Sequence, residues 1–271
     1  MTVLDLAGTW TLRLSDQHPT QDASEATPPF ALRTERPIKI PGDIMSALLD
    51  SGEIPDPYQG RNELDLQWIG RRDWVLEASF TLDTQHLSSD LLYLELGSID
   101  TVASISLNGI GIGTSRNMFV PFSSDIHQAA RLGENTLSIV IHSPERAAME
   151  AARDLPYPVP ASTYPIHSPH RNLLRKAQCM SGWDWGPCLM TGGIYGSARI
   201  LAVDGPWLCG ASAQPEKDKH GWLVNCEFTI TAAKSQQIML NAELGTPSAD
   251  SQSSQSSQSS QSSQSSQSSQ S

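Results

Sequence analysis

Val102-Ala103-Ser104-Ile105-Ser106-Leu107-Asn108-Gly109-Ile110 decides the fold of this 271-residue chain. Apolar and polar residues alternate from 102 to 107, the period of a strand buried on one face. Asn-Gly follows at once. Both central residues of a type I′ turn need positive φ, so Asn-Gly between alternating runs is the strongest short hairpin signal. The return strand starts over 110–113.

The same alternation recurs outward from this hairpin. Trp74–Leu82 and Leu91–Leu96 precede it, 135–142 follows it, and Gly8–Leu14 lies nearer the N-terminus. Residues 38–40 run into Pro41-Gly42, a turn signal. Residues 43–49 suit a short helical turn capped by Asp43. Pro144–Arg153 suits a helix, with proline in its first turn and a run rich in Ala, Glu and Met. The stretch 155–169 carries five prolines and cannot be regular structure. Residues 200–203 close the unit. Many strands at turn-marked spacing predict an all-β sandwich over 1–204.

A second unit begins near Gly205-Pro206, with alternating strands predicted at 222–230 and 237–244. Two or three strands cannot close a sandwich, so 205–248 reads as an incomplete β domain. From Ser251 onward the chain repeats Ser-Ser-Gln. Such a tract has no apolar residue to offset its ordering entropy, and 249–271 is expected to be a disordered tail. It has the regularity of sequence slippage or a frame change.

The net charge of −11 and the isoelectric point near 5.0 argue against nucleic acid and anionic membranes as partners. The cysteines Cys179, Cys188, Cys209 and Cys226 have no C-x-x-C spacing and no finger-like histidine, so no metal site is expected. The N-terminus lacks a basic region and an apolar run, and no stretch is long enough to span a bilayer. The expectation is a cytoplasmic protein with reduced thiols, no cofactor and no metal.

Function is carried by Asn172-Leu173-Leu174-Arg175-Lys176-Ala177-Gln178-Cys179-Met180-Ser181-Gly182-Trp183-Asp184-Trp185-Gly186-Pro187. With only 7 tryptophans in the chain, two flanking one aspartate are not expected by chance. In an extended segment Trp183 and Trp185 share one face and Asp184 takes the other; in a tight glycine-bounded turn all three converge. Either arrangement suits a sugar, because indoles pack on the C–H face of a pyranose while carboxylate and guanidinium bond its hydroxyls. Core tryptophans would need no neighbouring acid, and acids are rarely buried unpaired. Arg175 and Lys176 are available partners for Asp184. Other candidates are weaker. Glu77 and Glu95 alternate outward on their strands, Asp73 and Asp100 are further carboxylates, and His167 and His170 cannot share a helix among prolines. Ser181 lacks the G-x-S-x-G frame of a nucleophile elbow.

These motifs, with Pro41-Gly42-Asp43-Ile44, Gly97-Ser98-Ile99-Asp100-Thr101, Leu107-Asn108-Gly109 and Asn117-Met118-Phe119, make the chain resemble the N-terminal part of β-mannosidases. These belong to glycoside hydrolase family 2, the β-galactosidase/β-glucuronidase/β-mannosidase superfamily. The resemblance runs from about residue 4 to 203. It implies a jelly-roll domain of the galactose-binding type, then an immunoglobulin-like sandwich, cut short here, then a barrel that carries both catalytic glutamates of a retaining mechanism. Neither glutamate has a matching position in this chain, so no catalytic residue is assigned to it. The resemblance gives Trp183, Asp184 and Trp185, with Arg175 and Asn172, a role in recognising a terminal β-mannoside. Alternatives are a free-standing carbohydrate-binding module or a nonfunctional truncated fragment. Two departures stand out. Tyr195-Gly196-Ser197 replaces a common Trp-Arg-Pro, which puts packing in doubt, and Ser181 stands where an aromatic is common.

Overall fold

The computed structural model describes residues 1–15, 32–160, 170–183 and 186–243, with the backbone alone at Trp183. The tail expected at 249–271 and most of the proline-rich stretch lie outside the described residues. The chain divides into two compact units, one ending at Gly205 and one beginning at Pro206.

The first unit is built on two antiparallel sheets. One has six strands in the order β3 (Arg36–Ile40), β2 (Gly8–Leu14), β5 (Trp74–Leu82), β11 (Gly133–Ile141), β8 (Ala103–Leu107) and β9 (Ile110–Ser115). The other has four, β1 (Thr2–Asp5), β15 (Ala198–Val203), β6 (Leu91–Leu96) and β10 (Phe122–Asp125). The alternation in the sequence becomes the burial pattern. Ala103, Ile105 and Leu107 of β8 and Leu137, Ile139 and Ile141 of β11 join Leu92, Leu94 and Leu96 of β6 in one core, each no more than 2% exposed. Burying each leucine or isoleucine contributes about 1.5–3 kcal/mol. One core shared by two sheets makes the unit a β-sandwich.

The Asn-Gly turn forms as read. Asn108 has φ 53° and Gly109 φ 81°, and Leu107 pairs with Ile110. Asn108 does more than turn the chain. Its Nδ2 donates to Asn135 Oδ1 at 2.8 Å, and its Oδ1 accepts from the Thr136 amide at 3.0 Å. Asn135 points inward in the register of Leu137 and is 1% exposed. Its amide donates to Arg131 O and Gly133 O, and its Oδ1 also accepts from Arg131 N. A buried amide is tolerated because all its groups are bonded.

Helix α1 (Ile44–Asp50) is capped by Asp43, whose carboxylate accepts from Ser46 N at 3.0 Å. Helices α2 (Asn62–Asp65) and α3 (Thr84–Leu87) are single turns. Helix α4 (Pro144–Arg153) has proline at its start and Ser143 as its cap. A three-stranded ribbon, in the order β4 (Gly42–Asp43), β14 (Gly193–Ile194) and β7 (Ile99–Asp100), joins three distant segments. Gly193 is required there, because a Cβ would lie 2.3 Å from Gly42 O.

In the second unit the described strands form one long hairpin. Within the numbering they follow the short β12 (Ser181–Trp183) and β13 (Gly186–Cys188) of the first unit, and are β16 (Trp207–Asp218) and β17 (Gly221–Thr231). The strand predicted at 222–230 lies in β17. The one predicted at 237–244 is corrected: 237–243 forms no strand. Alternation alone does not make a strand, and 237–243 pairs with neither edge of this hairpin. Strand β16 was not legible, since Pro215 interrupts it, yet a two-stranded hairpin accommodates proline.

Candidate sugar-recognition segment

The segment begins against helix α4. Ala148 of α4, Leu174 and Met190 form a small buried cluster, with Val102 and Ala147 against it. The helix is tied to the sandwich through Asp73, which is 1% exposed. Asp73 Oδ1 accepts from Ser143 N at 2.7 Å, and Arg146 Nη2 reaches both its oxygens at 2.5 and 2.7 Å. Burial opposes ionisation of Asp73, but His142, the Ser143 amide and Arg146 outweigh it and hold the pKa down at about 2.

From this base the chain climbs in alternation. Leu174 is buried, Arg175 exposed and Lys176 buried. Arg175 bridges Asn117 through its backbone, and its carbonyl accepts from Met118 N at 3.0 Å. The Lys176 amine donates to Asp100 Oδ2 at 3.0 Å and to Thr191 O at 2.8 Å, and both charged side chains are wholly inaccessible. Thr191 Oγ1 donates to the same Asp100 oxygen at 3.0 Å. Lys176 is therefore committed to Asp100, which corrects its reading as an available partner for Asp184. Asn172, on a short 3₁₀ turn over Arg171–Leu173, is exposed like Arg175.

The next residues form the hairpin β12–β13, which pairs Ser181 with Cys188 and Trp183 with Gly186. Asp184 and Trp185, the two residues between, and the side chain of Trp183 lie outside the described residues, as does His167. The base of the hairpin is held from several sides. Ser181 O accepts from Arg171 Nη1 and from Cys188 Sγ. Ser181 Oγ donates to Met190 Sδ at 3.0 Å. Cys188 N donates to Glu63 Oε2 at 3.0 Å, and Cys188 O accepts from Gln67 Nε2 at 2.8 Å. Ser181 is 1% exposed, so this departure from the family pattern sits under the hairpin. Burial pushes the Cys188 thiol up to about 11. Tyr195, the other departure, donates its amide to Ser98 O at 2.8 Å, and burial raises its hydroxyl pKa.

Three of the four carboxylates weighed from the sequence are committed elsewhere. Asp73 and Asp100 each serve a cation, and Glu95 pairs with Arg199 at 2.8 Å. Sequence reasoning missed one arrangement. Ser104 Oγ lies 2.8 Å from His142 Nε2, and His142 Nδ1 lies 3.4 Å from Asp73 Oδ2. The order matches a nucleophile–base–acid triad. However, Arg146 already neutralises Asp73, and β8 is paired along both edges, which leaves no amides aimed at an oxyanion. It is a structural network. Among the described residues no cluster of three or more His, Cys, Asp or Glu could hold a metal, and no helix is long and apolar enough to cross a membrane.

The chain belongs to the glycosyl hydrolase 2 galactose-binding domain-like family, whose sequence model matches residues 10–196. It is 31% identical over 238 residues to the probable β-mannosidase of Caenorhabditis elegans, covering 84% of this chain and 24% of that protein. To the β-mannosidase of Mus musculus it is 30% identical over 224 residues, covering 80% and 25%. The crystal structure of β-D-mannosidase from Dictyoglomus thermophilum superposes with a TM-score of 0.70 at 30% identity, over 86% of this chain and 26% of that one. The chain thus spans about a quarter of the length of the curated relatives it matches.

Proposed function

We propose that this chain is the part of a β-mannosidase that recognises the terminal sugar, while the carboxylates that cleave the glycosidic bond are supplied by a barrel. In this reading Asp184 accepts from two adjacent mannose hydroxyls, Trp183 and Trp185 cover the sugar's C–H face, and Arg175 and Asn172 bond further hydroxyls. One observation carries it. The segment is held at its buried Lys176 and Ser181, yet Arg175 and Asn172 are exposed on the same stretch, which leads into Trp183-Asp184-Trp185. A stretch serving only as core would bury its polar groups or leave them to water without such a grip.

The kinship with β-mannosidases supports the substrate class, and the commitment of the buried carboxylates to cations supports recognition rather than cleavage. The second unit is then the opening hairpin of an immunoglobulin-like sandwich, and 1–204, 205–248 and 249–271 are the working divisions of the chain. Its partner is a β-mannoside or oligosaccharide, with no nucleic acid, membrane, cofactor or metal, and its setting is cytoplasmic. A glycan array probed with the whole chain tests the proposal. Retention of glycans ending in β-mannose over those ending in β-galactose supports it. Equal retention of both, or of neither, counts against it.

A further inference from the structure

We propose that the β16–β17 hairpin is a self-association surface, and that a second copy of this chain packs on its apolar face. The pairing register separates the two faces. Residues opposite each other in an antiparallel pair share a face, and neighbours along a strand alternate. Trp222 faces Lys217, Val224 faces Pro215, Cys226 faces Ala213 and Phe228 faces Ala211. These pairs make one apolar face. The other face carries Gln214, Glu216, Asn225 and Glu227, and Asn225 Nδ2 donates to Glu216 Oε2 across it at 3.0 Å. The apolar face is open: Trp222 is 69% exposed, Val224 41% and Phe228 37%. Ile238, Met239 and Leu240, further along the chain, are themselves exposed and do not cover it. A two-stranded hairpin is marginal in water until such a face is buried against another element.

The face is complementary to itself, which selects a second copy as the cover. Its large side chains, Trp222, Val224 and Phe228, stand along β17, and its small ones, Ala211, Ala213 and Pro215, along β16. A two-fold axis parallel to the strands sets β17 of each copy over β16 of the other. Phe228 then meets the second copy's Ala211, and Val224 its Pro215, at the spacing of packed sheets, about 10 Å. The charge on this face is accommodated too, because Lys217 Nζ lies 5.7 Å from the centre of the Trp222 ring, where a cation is attracted. The area agrees with a dimer. Strand β17 has 11 residues, so the face is about 37 Å long. Two such faces together bury on the order of 1,000 Å², the low end of specific interfaces. The dimer is accordingly weak and exchanging, with a Kd on the order of 10–100 μM. Its product is a sandwich whose second sheet comes from the second copy, and it uses no residue of the sugar-recognition segment.

Sedimentation velocity of the whole chain from about 1 to about 300 μM tests this, a range that brackets the expected Kd. The mass should rise from one copy to two and no further. Salt should tighten the association, because each copy carries a net charge of −11 whose repulsion salt screens. Val224→Glu puts a carboxylate on the apolar face and should weaken association at least about tenfold, whereas Leu223→Glu, one residue away on the other face, should leave it within about twofold. Ala211→Phe guards against a variant that merely unravels. An aromatic pair with Phe228 supports the hairpin but fills the groove that receives the second copy's Phe228, so it should weaken association as well. A single copy at every concentration overturns the proposal. So does equal weakening by Val224→Glu and Leu223→Glu, or growth beyond two copies, either of which means pairing along the open strand edges. Association that Ala211→Phe leaves unchanged or strengthens, or that salt weakens, overturns it too.

Discussion

Replacing Asp73 with asparagine should destabilise the first unit by an amount that disappears in acid. The carboxylate accepts from Ser143 N, from Arg146 and, at longer range, from His142. Asparagine keeps one acceptor but turns an NH2 group towards donors. Two routes give the magnitude. Hydrogen bonds to a charged group contribute about 1.5–3 kcal/mol. The pKa of Asp73 falls from an ordinary 3.8 to about 2, which at about 1.4 kcal/mol per tenfold amounts to roughly 2 kcal/mol. Because the folded pKa lies below the unfolded one, this stabilisation is complete above about pH 4 and is lost as pH falls towards 2. For a unit of this size Tm should drop by about 4–8 °C at pH 7. Thermal melts of both proteins from pH 7 to pH 2 measure it: the gap between them should start to narrow below about pH 4 and all but close as pH reaches about 2. A gap undiminished at pH 2, or no gap at pH 7, would show that Asp73 is not held ionised by these donors.

Two further outcomes follow from close packing. Gly193→Ala should destabilise by at least about 1–3 kcal/mol, because its Cβ would meet the β4 backbone and the strands cannot separate freely; an unchanged denaturation midpoint would contradict this. Of the four thiols, Cys179, Cys209 and Cys226 are exposed and Cys188 is buried, so a disulfide reagent at pH 8 should titrate three promptly and the fourth only on unfolding. Prompt reaction of all four would contradict the burial that raises the Cys188 pKa.

The sandwich was largely legible because its signals are local. Asn108-Gly109 announces its own turn, Asp43 and Pro144 announce helix starts, and Ala103, Ile105 and Leu107 announce a buried face. What escaped is non-local. Asp73 and Arg146 are 73 residues apart, and Lys176 and Asp100 are 76 apart. Nothing in Arg175-Lys176 distinguishes the exposed cation from the buried one, except the alternation that starts at Leu174. Asn135 occupies an apolar position in its strand and makes sense only when Asn108 and the 131–133 turn come within reach. The strand expected at 237–244 failed for the opposite reason: its pattern was present, but 237–243 pairs with neither strand of the β16–β17 hairpin. At the candidate site the Trp-Asp-Trp motif was plain, while the grip beneath it, from Arg171, Gln67, Glu63 and Met190, had no signature in the sequence.

The central claim is that the Trp183-Asp184-Trp185 segment reads a sugar. Titration of Asp184→Ala with methyl β-D-mannopyranoside, beside a melting curve, tests it most directly. The expected result is binding weakened about 10- to 100-fold, the equivalent of a hydrogen bond to a charged group, with Tm within about a degree of the unaltered chain. Unchanged affinity together with a large fall in Tm would mean that Asp184 holds the fold and does not touch a ligand.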